Sequence, residues 1–203
     1  QFDSVGGRES AFRRKRRPIQ IAVSFTDTDL IARVLAREDE NAFGELVRRY
    51  QSSVRAFLTR MARGDSHLAD DLAQETFLKA WKKMSSYRGG ARFSTWLFGI
   101  AINEFRAAAR SRKEFIAHDF SDDSPELETA ATDFNTRLRL DLTEALNRIS
   151  SEERAAILLC CQNGLSHEEA AQVLACPLGT VKTNILRGKE KLQRHLAIDY
   201  EFT

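Results

Sequence analysis

Glycine and proline are scarce in this chain, ten and three among 203 residues. Ala, Leu, Arg and Glu are abundant instead, a composition that favours helix. No run of alternating β-branched residues exceeds Ile19 to Val23, so strands are not expected. No apolar stretch reaches the roughly eighteen residues that cross a bilayer, which excludes direct membrane insertion. The basic block Arg13 to Arg17 precedes only a short apolar stretch broken by Gln20 and Ser24, which does not read as a signal peptide. The three cysteines, two of them adjacent (Cys160, Cys161), make a poor disulfide framework and suit a reducing, cytoplasmic setting. His67, His118, His167 and His195 are scattered, and there is no metal-ligand spacing, phosphate loop or nucleophile constellation. No cofactor, no metal and no catalysis by this chain alone are therefore expected. Charge of one sign is also missing: 31 Lys+Arg stand against 29 Asp+Glu. Affinity for nucleic acid must come from local patches.

What is present is helical periodicity in two blocks. Residues 1–26 read as a basic tail. A helical domain is expected over 27–113, with Thr28 or Asp29 capping its first helix, a break at Glu38 to Glu40, a helix from His67 to Met84, a glycine-paired loop from Ser85 to Arg92, and a last helix from Phe93 to about Arg112. Residues 114–135 lose the periodicity and gain Asp119, Asp122, Asp123, Glu126 and Glu128 around Pro125, which marks an acidic flexible linker. A second helical domain spans 136–197, followed by a short tail, 198–203. The fold class is all-α, two small helical domains with a helix-turn-helix in the second.

The helix-turn-helix reading rests on local chemistry. Ser166 with Glu169 three residues on forms a capping box before Ala170, Ala171, Val173 and Leu174. Pro177 suits the first position of the next helix. In that helix Val181, Ile185 and Leu192 face inward, while Lys182, Thr183, Asn184, Arg187 and Lys189 face outward. Lys and Arg bind phosphates or guanine, and Asn pairs with adenine, so this face suits a major groove.

In the first domain, Asp70, Asp71, Gln74, Glu75 and Leu78 form one stripe of a helix. An exposed leucine among carboxylates suits a protein-binding face. Beyond it, Tyr87, Arg88, Arg92, Phe93 and Trp96 gather around Gly89-Gly90. Aromatics and arginines on a hinged loop suit unstacked bases, although Phe93 and Trp96 are equally readable as core. Asn103, Arg106 and Arg110 run down one side of the following helix and suit a phosphate backbone.

With these residues in view, the chain resembles bacterial sigma factors of the extracytoplasmic-function (group IV) type of the sigma-70 family. The resemblance is carried by Asp71-Leu-Ala-Gln-Glu-Thr-Phe-Leu-Lys-Ala-Trp81, by Phe93-Ser-Thr-Trp-Leu-Phe-Gly-Ile-Ala-Ile-Asn103, and by Gly164-Leu-Ser-His-Glu-Glu-Ala-Ala-Gln-Val-Leu174 with Gly179-Thr-Val-Lys182. It implies that the chain binds RNA polymerase core and directs promoter-specific initiation. The stripe from Asp70 to Leu78 corresponds to the contact with the clamp coiled coil of the largest subunit. Tyr87 through Trp96, with Asn103, Arg106 and Arg110, corresponds to the part that melts and reads the −10 element. Thr180, Lys182, Thr183, Asn184, Arg187 and Lys189 correspond to the −35 reader in the second domain, which also meets the flap of the second-largest subunit. Members of the family usually rely on an anti-sigma factor that occludes both domains, so such a partner is expected here. The acidic linker then suits a basic channel built for RNA. Three departures stand out: Thr183-Asn184 where Ser-Arg is frequent, Gly188 where Ala is usual, and Leu68-Ala69 in an often more charged stretch. The rival reading is a helix-turn-helix regulator that acts on intact duplex without polymerase.

Overall fold

The computed structural model describes residues 25–118 and 134–201, and side chains over 25–112 and 140–196. The expected basic tail up to residue 24, most of the acidic linker, and the last two residues lie outside the described residues. Every described element is helical.

Helix α1 (Asp27–Arg37) starts one residue before the expected cap region. Thr26, not Thr28 or Asp29, is the cap: its hydroxyl accepts from the Asp29 amide at 3.2 Å, and the Asp29 carboxylate accepts from the Thr26 amide at 2.9 Å. Two of the unpaired amides at this end are thereby satisfied, which is worth about 1 kcal/mol. Glu38 then adopts a left-handed conformation and ends the helix, and Asp39 caps α2 (Glu40–Met61) through the Ala42 amide. The break expected at Glu38 to Glu40 is thus a left-handed residue followed by a cap. Asp65 caps α3 (Ser66–Lys82), and a 3-10 turn at Met84–Ser86 leads into the glycine-paired loop. Helix α4 (Phe93–His118) runs past the expected domain end at 113.

Leu46, Val54, Phe57, Leu58, Leu97, Phe98 and Ile102 are almost wholly buried among α1 to α4. The Phe57 and Phe98 rings meet edge-on, with centroids 5.3 Å apart, a geometry that adds to area burial. On α3 the innermost line is Ala69, Leu72, Thr76 and Ala80, with Leu68 partly buried beside it.

The second unit comprises α5 (Phe134–Asn147), α6 (Ser151–Ile157) with a π-helical continuation (Leu158–Gln162), α7 (His167–Leu174) and α8 (Leu178–Glu201). Ser150 and Glu153 close a capping box on α6. Gly164, with φ +65°, makes the sharp exit expected of a glycine there. Ser166 and Glu169 close the expected box on α7. Pro177 stands just before α8, one position earlier than expected, and its carbonyl accepts from the Thr180 amide at 2.9 Å. Helix α8 also runs beyond the expected end at His195. Leu159, Ala170 and Val181 form the centre of this unit, with no measurable exposure.

The two units touch along two lines. Helix α4 packs on α7, and the end of α2 packs on α6. The second contact is organised by Arg154, which is 2% exposed. Its guanidinium donates to the carbonyls of Leu146 (2.8 Å) in the last turn of α5 and Ile149 (3.3 Å) just after it, and to that of Met61 (3.2 Å) at the end of α2. Carbonyls at helix C-termini carry partial negative charge, so they can stabilise a buried cation without a carboxylate. Burial pushes the guanidinium down to about 10, and it stays charged at neutral pH.

Candidate functional site

The stripe on α3 is solvent-facing throughout. Asp70, Asp71, Gln74, Glu75 and Leu78 are all exposed, while the opposite side of the helix is core. Leu78 keeps 44% of its surface in solvent. Asp70 differs from its neighbours because Arg55 on α2 grips its carboxylate with two donors. That hydrogen bonding holds the Asp70 carboxyl below its usual range. Arg55 was invisible in the sequence pattern because it lies fifteen positions away on another helix.

The aromatic loop is a packed cluster. Phe93 is 4% exposed and therefore belongs to the core, the second of the two readings open for it. Its ring meets Tyr50 at 5.4 Å, Tyr87 at 5.8 Å and Trp96 at 5.6 Å between centroids. Tyr87 and Trp96 are half-buried, 5.4 Å apart, and keep open surface. Tyr87 donates its hydroxyl to the Ala91 carbonyl at 2.7 Å, which ties the loop across Gly89, whose φ is +72°. A residue with a Cβ would be strained there. Tyr50 was missed by sequence reading: it lies on α2, forty-three residues before Phe93, and supports the cluster from beneath. Burial, with the neighbouring Asp27 carboxylate that accepts a hydrogen bond from it, pushes the Tyr50 phenol up.

Arg88, Asn103 and Arg110 are exposed on the same unit. Arg92 and Arg106 are engaged by the other unit. Arg92 donates to the Glu169 carboxylate and to the Gly164 carbonyl, the latter at 3.1 Å. Arg106 donates to the Leu174 carbonyl at 3.0 Å. Thr95, another residue the sequence did not single out, donates to Glu169 at 2.9 Å. These hydrogen bonds, Arg92 foremost, hold the Glu169 carboxyl down to about 2.

On α8, Val181, Ile185 and Leu192 are buried as expected. Thr180, Lys182, Thr183, Arg187 and Lys189 are exposed, and Asn184 is half-exposed. The polar face is unobstructed on the outside of the helix-turn-helix.

Two family models match the chain: Sigma-70 region 2 over residues 46–115, and Sigma-70, region 4 over residues 139–192. The ECF RNA polymerase sigma-E factor of Haemophilus influenzae is 33% identical over 189 residues, covering 87% of this chain and 98% of that protein. This chain belongs to the extracytoplasmic-function sigma factors. The RNA polymerase sigma-H factor of Pseudomonas aeruginosa is 32% identical over 182 residues, covering 84% of this chain and 93% of that one. Among solved structures, the sigma factor RpoE of Bartonella quintana, bound to the anti-sigma factor NepR, is similar with a TM-score of 0.70 at 30% identity, covering 77% of this chain and 98% of that one.

As a sigma factor the chain binds RNA polymerase core, directs promoter-specific initiation, recognises −10 and −35 elements and helps melt the promoter. No helix among the described residues is long and apolar enough to cross a membrane.

Proposed function

We propose that the two units divide this work by surface. The α3 stripe of Asp70, Asp71, Gln74, Glu75 and Leu78 docks on the clamp coiled coil of the largest polymerase subunit. The observation that carries the assignment is the single solvent-facing row of carboxylates flanking an exposed leucine, backed by a rigid core. An apolar anchor ringed by charge is how a few residues dominate a protein contact.

Tyr87 and Trp96 offer ring surface to unstacked −10 bases, with Phe93 and Tyr50 as the packed base of that platform. Arg88, Arg92, Asn103, Arg106 and Arg110 follow the opened strand's phosphates. Lys182, Thr183, Asn184, Arg187 and Lys189, with Thr180 at the helix start, enter the major groove at −35, while the second unit meets the flap of the second-largest subunit. The polymerase supplies the chemistry, and the setting is the bacterial cytoplasm. The B. quintana relative is held by an anti-sigma factor, which supports a partner of that kind for this chain.

Reconstitution with core polymerase tests the proposal. Run-off transcription from a cognate promoter is expected only when chain and core are both present. Tight binding to intact duplex without core, together with no initiation in its presence, would overturn it.

A further inference from the structure

The start of α1 is held against the aromatic platform. Arg49 on α2 donates to the Phe25 carbonyl at 2.7 Å and to the Asp27 carboxylate at 2.7 Å. Asp27 also accepts from the Tyr50 hydroxyl, and the Tyr50 ring is the one that meets Phe93 in the cluster with Tyr87 and Trp96. Burial, and after it the Asp27 charge, push the Tyr87 phenol up, so the same carboxylate lies within electrostatic reach of the platform's rim. On Phe25 itself, the Arg33 guanidinium stands over the ring, 5.1 Å from its centroid. The chain therefore enters the first unit at one fixed point, beside Tyr50 and the platform.

The segment leading to this point, residues 1–24, lies outside the described residues. Its sequence carries Arg8 and the block Arg13 to Arg17 against only Asp3 and Glu9. The rest of the chain holds 25 Lys+Arg and 27 Asp+Glu, so the whole positive excess of the protein sits in these 24 residues. A run of adjacent cations suits phosphates and carries no base readout of its own. Arg17 and Arg13 stand eight and twelve residues before Phe25. Their furthest reach from that fixed point is roughly 30 and 40 Å, about one turn of duplex. That range covers DNA flanking a −10 element held on the platform. It leaves out a −35 element more than two turns away.

We propose that the basic arm is an additional DNA contact of the first unit: Arg13, Arg14, Lys15, Arg16 and Arg17 bind phosphates flanking the −10 element while Tyr87 and Trp96 hold its unstacked bases. The proposal rests on the assignment of that platform to the opened strand. The point of delivery decides the partner. An arm fixed beside a base-stacking surface meets the phosphates of the DNA that surface holds. A polymerase face complementary to the acidic α3 stripe is basic and repels the arm. The contact is electrostatic, so it strengthens promoter binding without reading sequence and weakens as salt rises.

The test uses the full chain bound to core polymerase and a fluorescein-labelled promoter duplex with a pre-opened −10 bubble. One variant combines Arg13→Gln, Arg14→Gln, Lys15→Gln, Arg16→Gln and Arg17→Gln; a second changes the four arginines to lysine and keeps the charge. Across a KCl series, the slope of log affinity against log salt is expected to fall by about 3 to 5 in the glutamine variant, at about 0.7–0.9 per phosphate released. The lysine variant keeps the parent slope. Hydroxyl-radical protection flanking the −10 element is expected to weaken in the glutamine variant, with protection at −35 retained. An unchanged slope, equal loss of protection at both elements, or loss of slope in the lysine variant overturns the proposal. So does weaker binding to core with the DNA slope intact, which makes the polymerase the arm's partner. A parent chain that protects no promoter DNA in the presence of core fails the underlying assignment; a parent that protects it, matched in slope and footprint by the glutamine variant, fails the arm alone.

Discussion

Arg154 donates to the backbone carbonyl of Met61 at 3.2 Å, reaching from the start of α6 to the end of α2. The same guanidinium also holds the carbonyl of Leu146 in the last turn of α5 and that of Ile149 just beyond it, so one side chain ties these helix ends together. Removing it leaves several buried acceptors without donors, each costing about 1–3 kcal/mol. Arg154→Met, of similar length, is expected to lower stability by about 3 kcal/mol or more in urea unfolding. Arg154→Lys reaches fewer of the carbonyls and should fall between the two.

The aromatic cluster separates support from contact. Phe93→Ala is expected to cost about 3–5 kcal/mol of folding stability, because a nearly buried ring leaves a cavity. Trp96→Ala should cost less stability and instead weaken single-strand binding by about 1–3 kcal/mol. Thermal melts and fluorescence anisotropy on both variants check the contrast; equal stability losses with equal binding would refute it.

On α3 the carboxylates are not equivalent. Asp71→Arg combined with Glu75→Arg is expected to abolish co-purification with polymerase core and leave the melting temperature nearly unchanged, since both residues are exposed. Asp70→Asn should have a smaller effect, because Arg55 already engages that carboxylate. Loss of binding by Asp70→Asn alone, with the double variant unaffected, would invert the assignment.

Glu169 gives the contact between the two units an acid limit. Its folded carboxyl is held to about 2, below an ordinary value of 4.5, chiefly by Arg92. A depressed acid contributes stability that is fully present above the ordinary value and is lost as pH falls through the folded value. Contact between the units is therefore expected to loosen between about pH 4.5 and pH 2. Amide exchange in α7 as a function of pH would record it, and Glu169→Gln should flatten that dependence.

Gly188 has a local cause. A Cβ there would lie 2.5 Å from the Ile157 Cδ1 and 3.3 Å from the Glu153 Cβ, so the Ile157 side chain fills the space that the family's usual alanine would take. Gly188→Ala gains up to about 1 kcal/mol of helix propensity and forces Ile157 to move. Combined with Ile157→Val, which opens that space, the alanine should be more stabilising than alone. A double-mutant cycle is expected to give a favourable coupling of about 0.5 kcal/mol or more; additivity would show that the close approach carries no strain.

The helices and their caps were legible because each rests on residues within one turn. Ser166 with Glu169 needed nothing distant. Where reading slipped, a nearby residue offered the same chemistry: Thr26 took the cap expected of Thr28 or Asp29. The outward face of α8 was legible for the same reason, since Val181, Ile185 and Leu192 fix the helix's rotation. Phe93 was ambiguous, because an aromatic at helical spacing serves a core and a platform equally well. Only its packing against Tyr50, Tyr87 and Trp96 decides between them.

By itself, the sequence determined that this is an all-α chain with an acidic helical stripe, an aromatic loop and a basic recognition helix, because caps, periodicity and charge are local properties. Tertiary structure alone decided what those groups face. Arg55 lies against Asp70, Arg154 against Met61 and Glu169 against Arg92, at separations of 15, 93 and 77 residues. Pairings at that distance depend on how whole helices pack, and no short-range pattern encodes which carboxylate a given arginine will meet.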